Sequence, residues 1–244
     1  MFDKENRELF RKGLFRRNPP SINLEELTSM MKSWDWNFVF KSIYDLGYCL
    51  DDETWRFTKG EVVSMALEKG SNGKWRYADQ RGYDLEYDGR SRENSSVRVE
   101  VKSVRQIFLR ESFSEQRHTL KNEIQLKNTR GDNQIQNWNQ DFDYLLLVQT
   151  DPPFIASLVP WEVVNQHSHV PVKGDQVKVE RLEEEQMSFI TPKNGLEVDF
   201  EIEESNAENR RLRWAKASRI RGYNLRKKLI NEIRNYLNEI ERRS

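Results

Sequence analysis

Cysteine is nearly absent: Cys49 stands alone among 244 residues, which excludes an intrachain disulfide framework and any cysteine-based zinc cluster. It sits in the apolar run LGYCL, a setting that predicts a buried, inert thiol. Histidine is scarce as well. His118, His167 and His169 are the three present and no H-E-x-x-H occurs, so a histidine-rich metal site has little to build on, and His167-Ser168-His169 reads as a loop. Hard-metal chemistry through carboxylates stays open. No run approaches the roughly 18 apolar residues of a membrane span. The opening MFDKENRELFRKGLFRR is charged where a secretory signal would be apolar, and the expectation is a cytoplasmic protein. A phosphate-cradling G-x-x-x-x-G-K-[ST] loop is missing, so no nucleotide cofactor is expected, and Ser112, Ser114 and His118 form no nucleophile elbow. Charge of one sign does not prevail either. Forty Lys plus Arg meet forty Asp plus Glu, which excludes a nonspecific polycation.

Aromatic side chains are plentiful: seven Trp, eight Tyr and twelve Phe supply enough apolar surface for a globular core. The balanced charge hides a division. Residues 174–208 carry eleven acids against three bases, and residues 209–244 carry twelve bases against three acids. The second stretch has Leu212, Trp214, Ile220, Tyr223, Leu225, Leu229, Ile233, Tyr236, Leu237 and Ile240 at roughly helical spacing, which predicts one long helix or two broken near Gly222. Its arginines, Arg219 and Arg221 among them, either follow a phosphate backbone or sit solvated and paired with the acidic stretch.

An amphipathic helix is expected before Asn18-Pro19-Pro20, and helices over 22–47 with Ser21 or Asn23 as cap. Met30, Met31, Trp34, Trp36, Phe38 and Phe40 in these helices suit core packing, with a dimer surface as the other option. A short helix starts at Thr58–Glu61 and stops at Gly70. Residues 82–87 and 97–102 alternate as two strands of a hairpin around a polar loop. Residues 143–151 form a continuous apolar run expected of a strand covered on both faces, followed by a strand to Pro160 and a helix from Trp161. Short strands are expected over 172–204. The resulting division is an N-terminal helical region (1–57), an α/β core (58–208) and a C-terminal basic segment (209–244).

In Arg98-Val99-Glu100-Val101-Lys102, the valines at 97, 99 and 101 share one strand face, so Arg98, Glu100 and Lys102 share the other. Glu100 and Lys102 then stand about 6–7 Å apart. A suitable hairpin register brings Asp84 beside Glu100, with Glu86 and Asp88 as rivals; Asp88 has turn chemistry in Asp88-Gly89, and Asp79 lies before the strand. Two carboxylates beside one lysine are costly without a cation between the acids, and Mg²⁺ prefers such oxygen ligands.

This arrangement resembles the PD-(D/E)XK nuclease superfamily and, within it, type II restriction endonucleases. The matching pieces are Glu61 in a helix, Asp84 on the next strand, Glu100, Lys102 and the hydrophobic strand 143–149, over about residues 58–165; Gly82-Tyr83 stands where the motif has its proline. The resemblance implies an α/β core with a central mixed β-sheet flanked by helices, and the reading of the chain's two ends adds an N-terminal helical layer and a C-terminal basic helix. It further implies that Asp84, Glu100 and the carbonyl of Val101 hold Mg²⁺, that Lys102 orients or helps deprotonate the attacking water, and that Glu61 supports the metal's outer shell. The implied partner is double-stranded DNA, bound by a homodimer in a prokaryotic cytoplasm. Residues 121–140 are rich in Asn, Gln, Arg and Lys, the types that pair with base edges. There Asn128, Arg130, Asn133 and Gln134 are candidate DNA contacts, with Gly131 at a sharp turn. Arg105 and Arg110 are candidate phosphate anchors. Trp138 suits the core better than a base stack. A repair or junction-resolving nuclease and a noncatalytic nucleic-acid-binding module are the alternatives.

Overall fold

The computed structural model describes residues 4–49, 52–80, 82–87, 96–104, 107, 124–126, 131–132, 137–170, 177–180, 182–198 and 223–242. The helices are α1 (Lys4–Arg11), α2 (Leu24–Lys32), α3 (Trp36–Cys49), α4 (Asp52–Gly70), α5 (Trp161–Gln166) and α6 (Tyr223–Glu241). The strands are β1 (Arg76–Gln80), β2 (Tyr83–Tyr87), β3 (Val97–Val104), β4 (Ile124–Leu126), β5 (Gly131–Asp132), β6 (Asn137–Trp138), β7 (Tyr144–Gln149), β8 (Ala156–Pro160), β9 (Ser168–His169), β10 (Val177–Val179) and β11 (Ser188–Phe189).

Six strands form one mixed sheet in the order β1-β2-β3-β7-β8-β11, in which β3 and β7 run parallel and the other pairs antiparallel. This agrees with the expected α/β class. All six residues of β7 are buried, because apolar layers cover both faces of the sheet. On one face Val97, Val99, Val101, Leu146 and Leu85 join Met31, Phe40, Ile43, Val63, Leu67 and Ile233 from the helices. On the other, Leu145, Leu147 and Val159 join Trp138, Phe142, Trp161, Val177 and Val179. A three-stranded sheet, β4-β10-β9, contributes to that second layer.

Local chemistry sets the helix ends. Asn23 caps α2 by accepting from the Glu26 N–H at 2.9 Å, and Asp35 accepts from the Phe38 N–H at 2.9 Å at the start of α3. The aromatic residues of this region are core: Trp34 stacks on Trp36 and meets Trp75 edge-on, and Phe40 packs on Phe154.

Several expectations are corrected. The helix expected from residue 58 begins at Asp52, so the 57/58 division falls inside α4. Strand β1 was not anticipated, and Asp79 lies within it. Gly131 sits in β5 opposite Trp138 rather than at a turn. His169 belongs to β9, where loop was expected. Among the described residues of the 172–204 stretch, β10 joins the smaller sheet and β11 extends the main one. Trp138 is buried and donates from Nε1 to Ser168 Oγ at 2.8 Å, in line with a core role. The C-terminal helix buries Ile233, Tyr236 and Leu237 against the core while Glu241 pairs with Lys69 at 2.8 Å, and the expected break near Gly222 lies outside the described residues. Among the described residues, no helix is long and apolar enough to cross a membrane.

Candidate active site

Strands β2 and β3 pair with Tyr87 opposite Val97, Glu86 opposite Arg98 and Leu85 opposite Val99. Continued one step further, this register would set Asp84 opposite Glu100, whose charge acts on it. The backbone ladder ends at Leu85 and Val99, and beyond it the Val101 N–H donates to Asp84 Oδ2 at 2.8 Å. A strand residue turns its N–H and C=O toward the same neighbour, so the Val101 carbonyl is directed to the same gap. Apolar packing fixes this face: Val97, Val99 and Val101 lock into the helical core, which forces Arg98, Glu100 and Lys102 to the opposite side.

Glu100 is only 6% exposed, and the Lys102 ammonium donates to its Oε1. Asp84 lies half-buried against this pair. Burial is the main cause that lifts its carboxyl from 3.8 to about 7, with the Glu100 charge next; Lys102 and the Val101 N–H oppose the shift, and Glu61 on α4 adds the smallest upward push. Glu61 therefore stands within electrostatic reach of Asp84, from the helical side.

Two carboxyls and one ammonium share a poorly hydrated place, and they carry an excess of negative charge once Asp84 is ionised. Among the described residues, no three His, Cys, Asp or Glu side chains are grouped to hold a metal by themselves. The donor set is instead two carboxylates with an adjoining carbonyl, all oxygen, which suits a hard cation that keeps water or substrate phosphate as its remaining ligands. The fit to Mg²⁺ rests on the chemistry of these oxygen donors alone.

Glu86 pairs with Arg98, Oε1 to Nε at 3.4 Å, whereas Asp88 lies outside the described residues. Arg98 also lies over the Tyr83 ring, 4.5 Å from its centre. The proposed nucleic-acid contacts Arg105, Arg110, Asn128, Arg130, Asn133, Gln134, Arg219 and Arg221 all lie outside the described residues, as does Arg210.

One supporting network was not foreseen. Asp143, 3% exposed at the head of β7, accepts from Arg17 Nε at 3.0 Å through Oδ1 and from the Arg98 N–H at 2.8 Å through Oδ2. Arg17 also donates from Nη2 to the Ser96 carbonyl at 2.9 Å. The N-terminal segment therefore clasps the beginnings of β3 and β7, just before Glu100. The available signal was a lone acid opening an otherwise apolar strand, since a buried charge requires a partner. A cleft of about 560 Å³ lined by Asp35, Phe38, Lys41, Glu197 and Ile240 shares no residue with the acid pair and mixes charges of both signs without convergence.

Compared with family models, curated proteins and solved structures, the chain has no match.

Proposed function

We propose that this protein is a Mg²⁺-dependent endonuclease that hydrolyses phosphodiester bonds of double-stranded DNA at specific sequences, like the type II restriction enzymes it resembles. The observation that carries the reading is the confrontation of Asp84 with Glu100 across one hairpin, beside Lys102 and over the free edge of Val101. In this reading Asp84, Glu100 and the Val101 carbonyl hold Mg²⁺. The bound cation supplies Lewis acidity to a phosphoryl oxygen and makes nearby water more acidic. Lys102 donates to the scissile phosphate or to the attacking water, a role suited to a compact point charge. Glu100 keeps that ammonium in place, and Glu61 supports the cation from α4. A homodimer would set one such centre on each strand of a palindromic site.

Digestion of a plasmid of known sequence with Mg²⁺, and in parallel with EDTA, tests the proposal. Discrete fragments that need Mg²⁺ are expected. Nicking that follows DNA structure rather than sequence would move the protein to the repair class, and DNA binding without cutting would leave only a binding module.

A further inference from the structure

We propose that Arg98 is a substrate-phosphate ligand of this same site, holding a phosphate next to the scissile one; the inference rests on the nuclease reading and names its substrate as a chain of phosphodiesters. Arg98 precedes Glu100 by two residues on β3, on the same face and about 6–7 Å along the strand. Its backbone is fixed from both sides: the Arg98 N–H donates to Asp143 Oδ2 at 2.8 Å, and the Asp143 N–H donates to the Arg98 carbonyl at 2.9 Å.

The guanidinium is braced but not consumed. Tyr83 lies under it at 4.5 Å, and Glu86 reaches only Nε, at 3.4 Å. An arginine committed to a carboxylate offers two parallel N–H donors, a geometry not seen here. Among the described residues neither Nη group has a partner, and the side chain is 33% exposed. A partly exposed ion pair of this kind stabilises little, so Glu86 orients the fork without exhausting it. The planar fork matches phosphate oxygens.

Charge on this face gives the fork a purpose. Glu86 and Glu100 already offset Arg98 and Lys102 on this face, with Asp84 beside them, so an incoming phosphate finds no net attraction unless a cationic donor is free to receive it. Lys102 is held by Glu100. Arg98 is the group with donors to spare.

The test is the salt dependence of binding to a fluorescent duplex oligonucleotide in EDTA, for wild type, Arg98→Ala, Arg98→Lys and Glu86→Gln, each shown to be folded by its thermal transition. Arg98→Ala should reduce the slope of log K against log salt by about 0.9, the value for one lost phosphate contact. Arg98→Lys should keep the slope and weaken binding several-fold, and Glu86→Gln should tighten it. An unchanged slope in folded Arg98→Ala overturns the proposal. Cleavage by the wild type in Mg²⁺, read in parallel, separates the two ideas. Cutting with an unchanged slope removes Arg98 alone, a reduced slope without cutting keeps the Arg98 contact and removes the nuclease, and no binding by the wild type removes both.

Discussion

Arg17 and Asp143, 126 positions apart in the chain, meet with Nε 3.0 Å from Oδ1 and hold the strand that leads to Glu100. The Asp143 side chain is fully enclosed and that of Arg17 is 19% exposed, so this ion pair is shielded from screening water. Removing one partner strands the other charge at a cost of about 3–5 kcal/mol. Arg17→Ala should therefore lower the stability measured by urea unfolding by that order, whereas Lys12→Ala, which removes a solvent-facing pair with Glu8, should change it by less than about 0.5 kcal/mol. Equal effects of the two changes would show that the clasp contributes nothing special.

At the acid pair, Glu100→Gln and Lys102→Ala should each lower the cleavage rate by at least about a hundredfold, the lower bound usual for loss of a group acting in the transition state. DNA binding in EDTA should persist in both. The measurement is single-turnover cleavage of a duplex with enzyme in excess, and near wild-type rates in either variant would remove the proposed chemistry.

The Asp84 carboxyl, raised from 3.8 to about 7, gives a pH signature of definite sign. Between these values the folded chain holds a proton that the unfolded chain has released, so this residue favours the fold at low pH and its contribution is lost as pH rises toward about 7. In EDTA, Asp84→Asn should remove that part of the decline, and its stability relative to wild type should rise from pH 4 to pH 7.5. With Mg²⁺ the cation competes with the same proton, so wild-type affinity for it should climb with pH and level off above about 7. Parallel stability profiles for the two proteins would contradict the assignment.

Gly82 tests how the first strand of the hairpin is set. Its φ is +95°, and a Cβ there would come within 2.5 Å of the Asp141 Cβ. Gly82→Ala should destabilise the protein by about 1–3 kcal/mol and displace Asp84 two residues on, with a fall in cleavage beyond that of a surface Gly73→Ala control, which also has positive φ but open space around it. The readouts are the thermal midpoint and the cleavage rate, and a Gly82→Ala rate equal to that of the control would detach Gly82 from the site.

Much of the sheet was readable because its strands bury distinct patterns. Val97, Val99 and Val101 gave β3 its alternation, the enclosed β7 gave a continuous apolar run, and the period of two already put Glu100 and Lys102 on one face. The proximity of Asp84 to Glu100 needed a register, and the hairpin pairing up to Leu85 and Val99 points to it. Strand β1 escaped notice since Arg76-Tyr77-Ala78-Asp79-Gln80 is an edge strand without apolar alternation. The early start of α4 was hidden for a related reason. Val62 through Leu67 are buried without a break, so the helix has no single apolar stripe to extend backward toward Asp52. Arg17 and Asp143 were beyond local pattern altogether, because their meeting depends on the whole chain returning to the base of the sheet.

The mixed character of that sheet also sets an order of assembly. Leu85 and Val99 join across a connection 14 positions apart in the chain, whereas the parallel contact of Val99 with Tyr144 closes a loop roughly three times longer, at an entropic disadvantage of about 1 kcal/mol. The β2–β3 ribbon is therefore expected to form ahead of the long crossover, which would bring Asp84 and Glu100 together while water still surrounds both. Their mutual repulsion is mildest at that stage and sharpens only as β7 docks, so a divalent ion present in the medium should speed the final closing step more than the initial zippering.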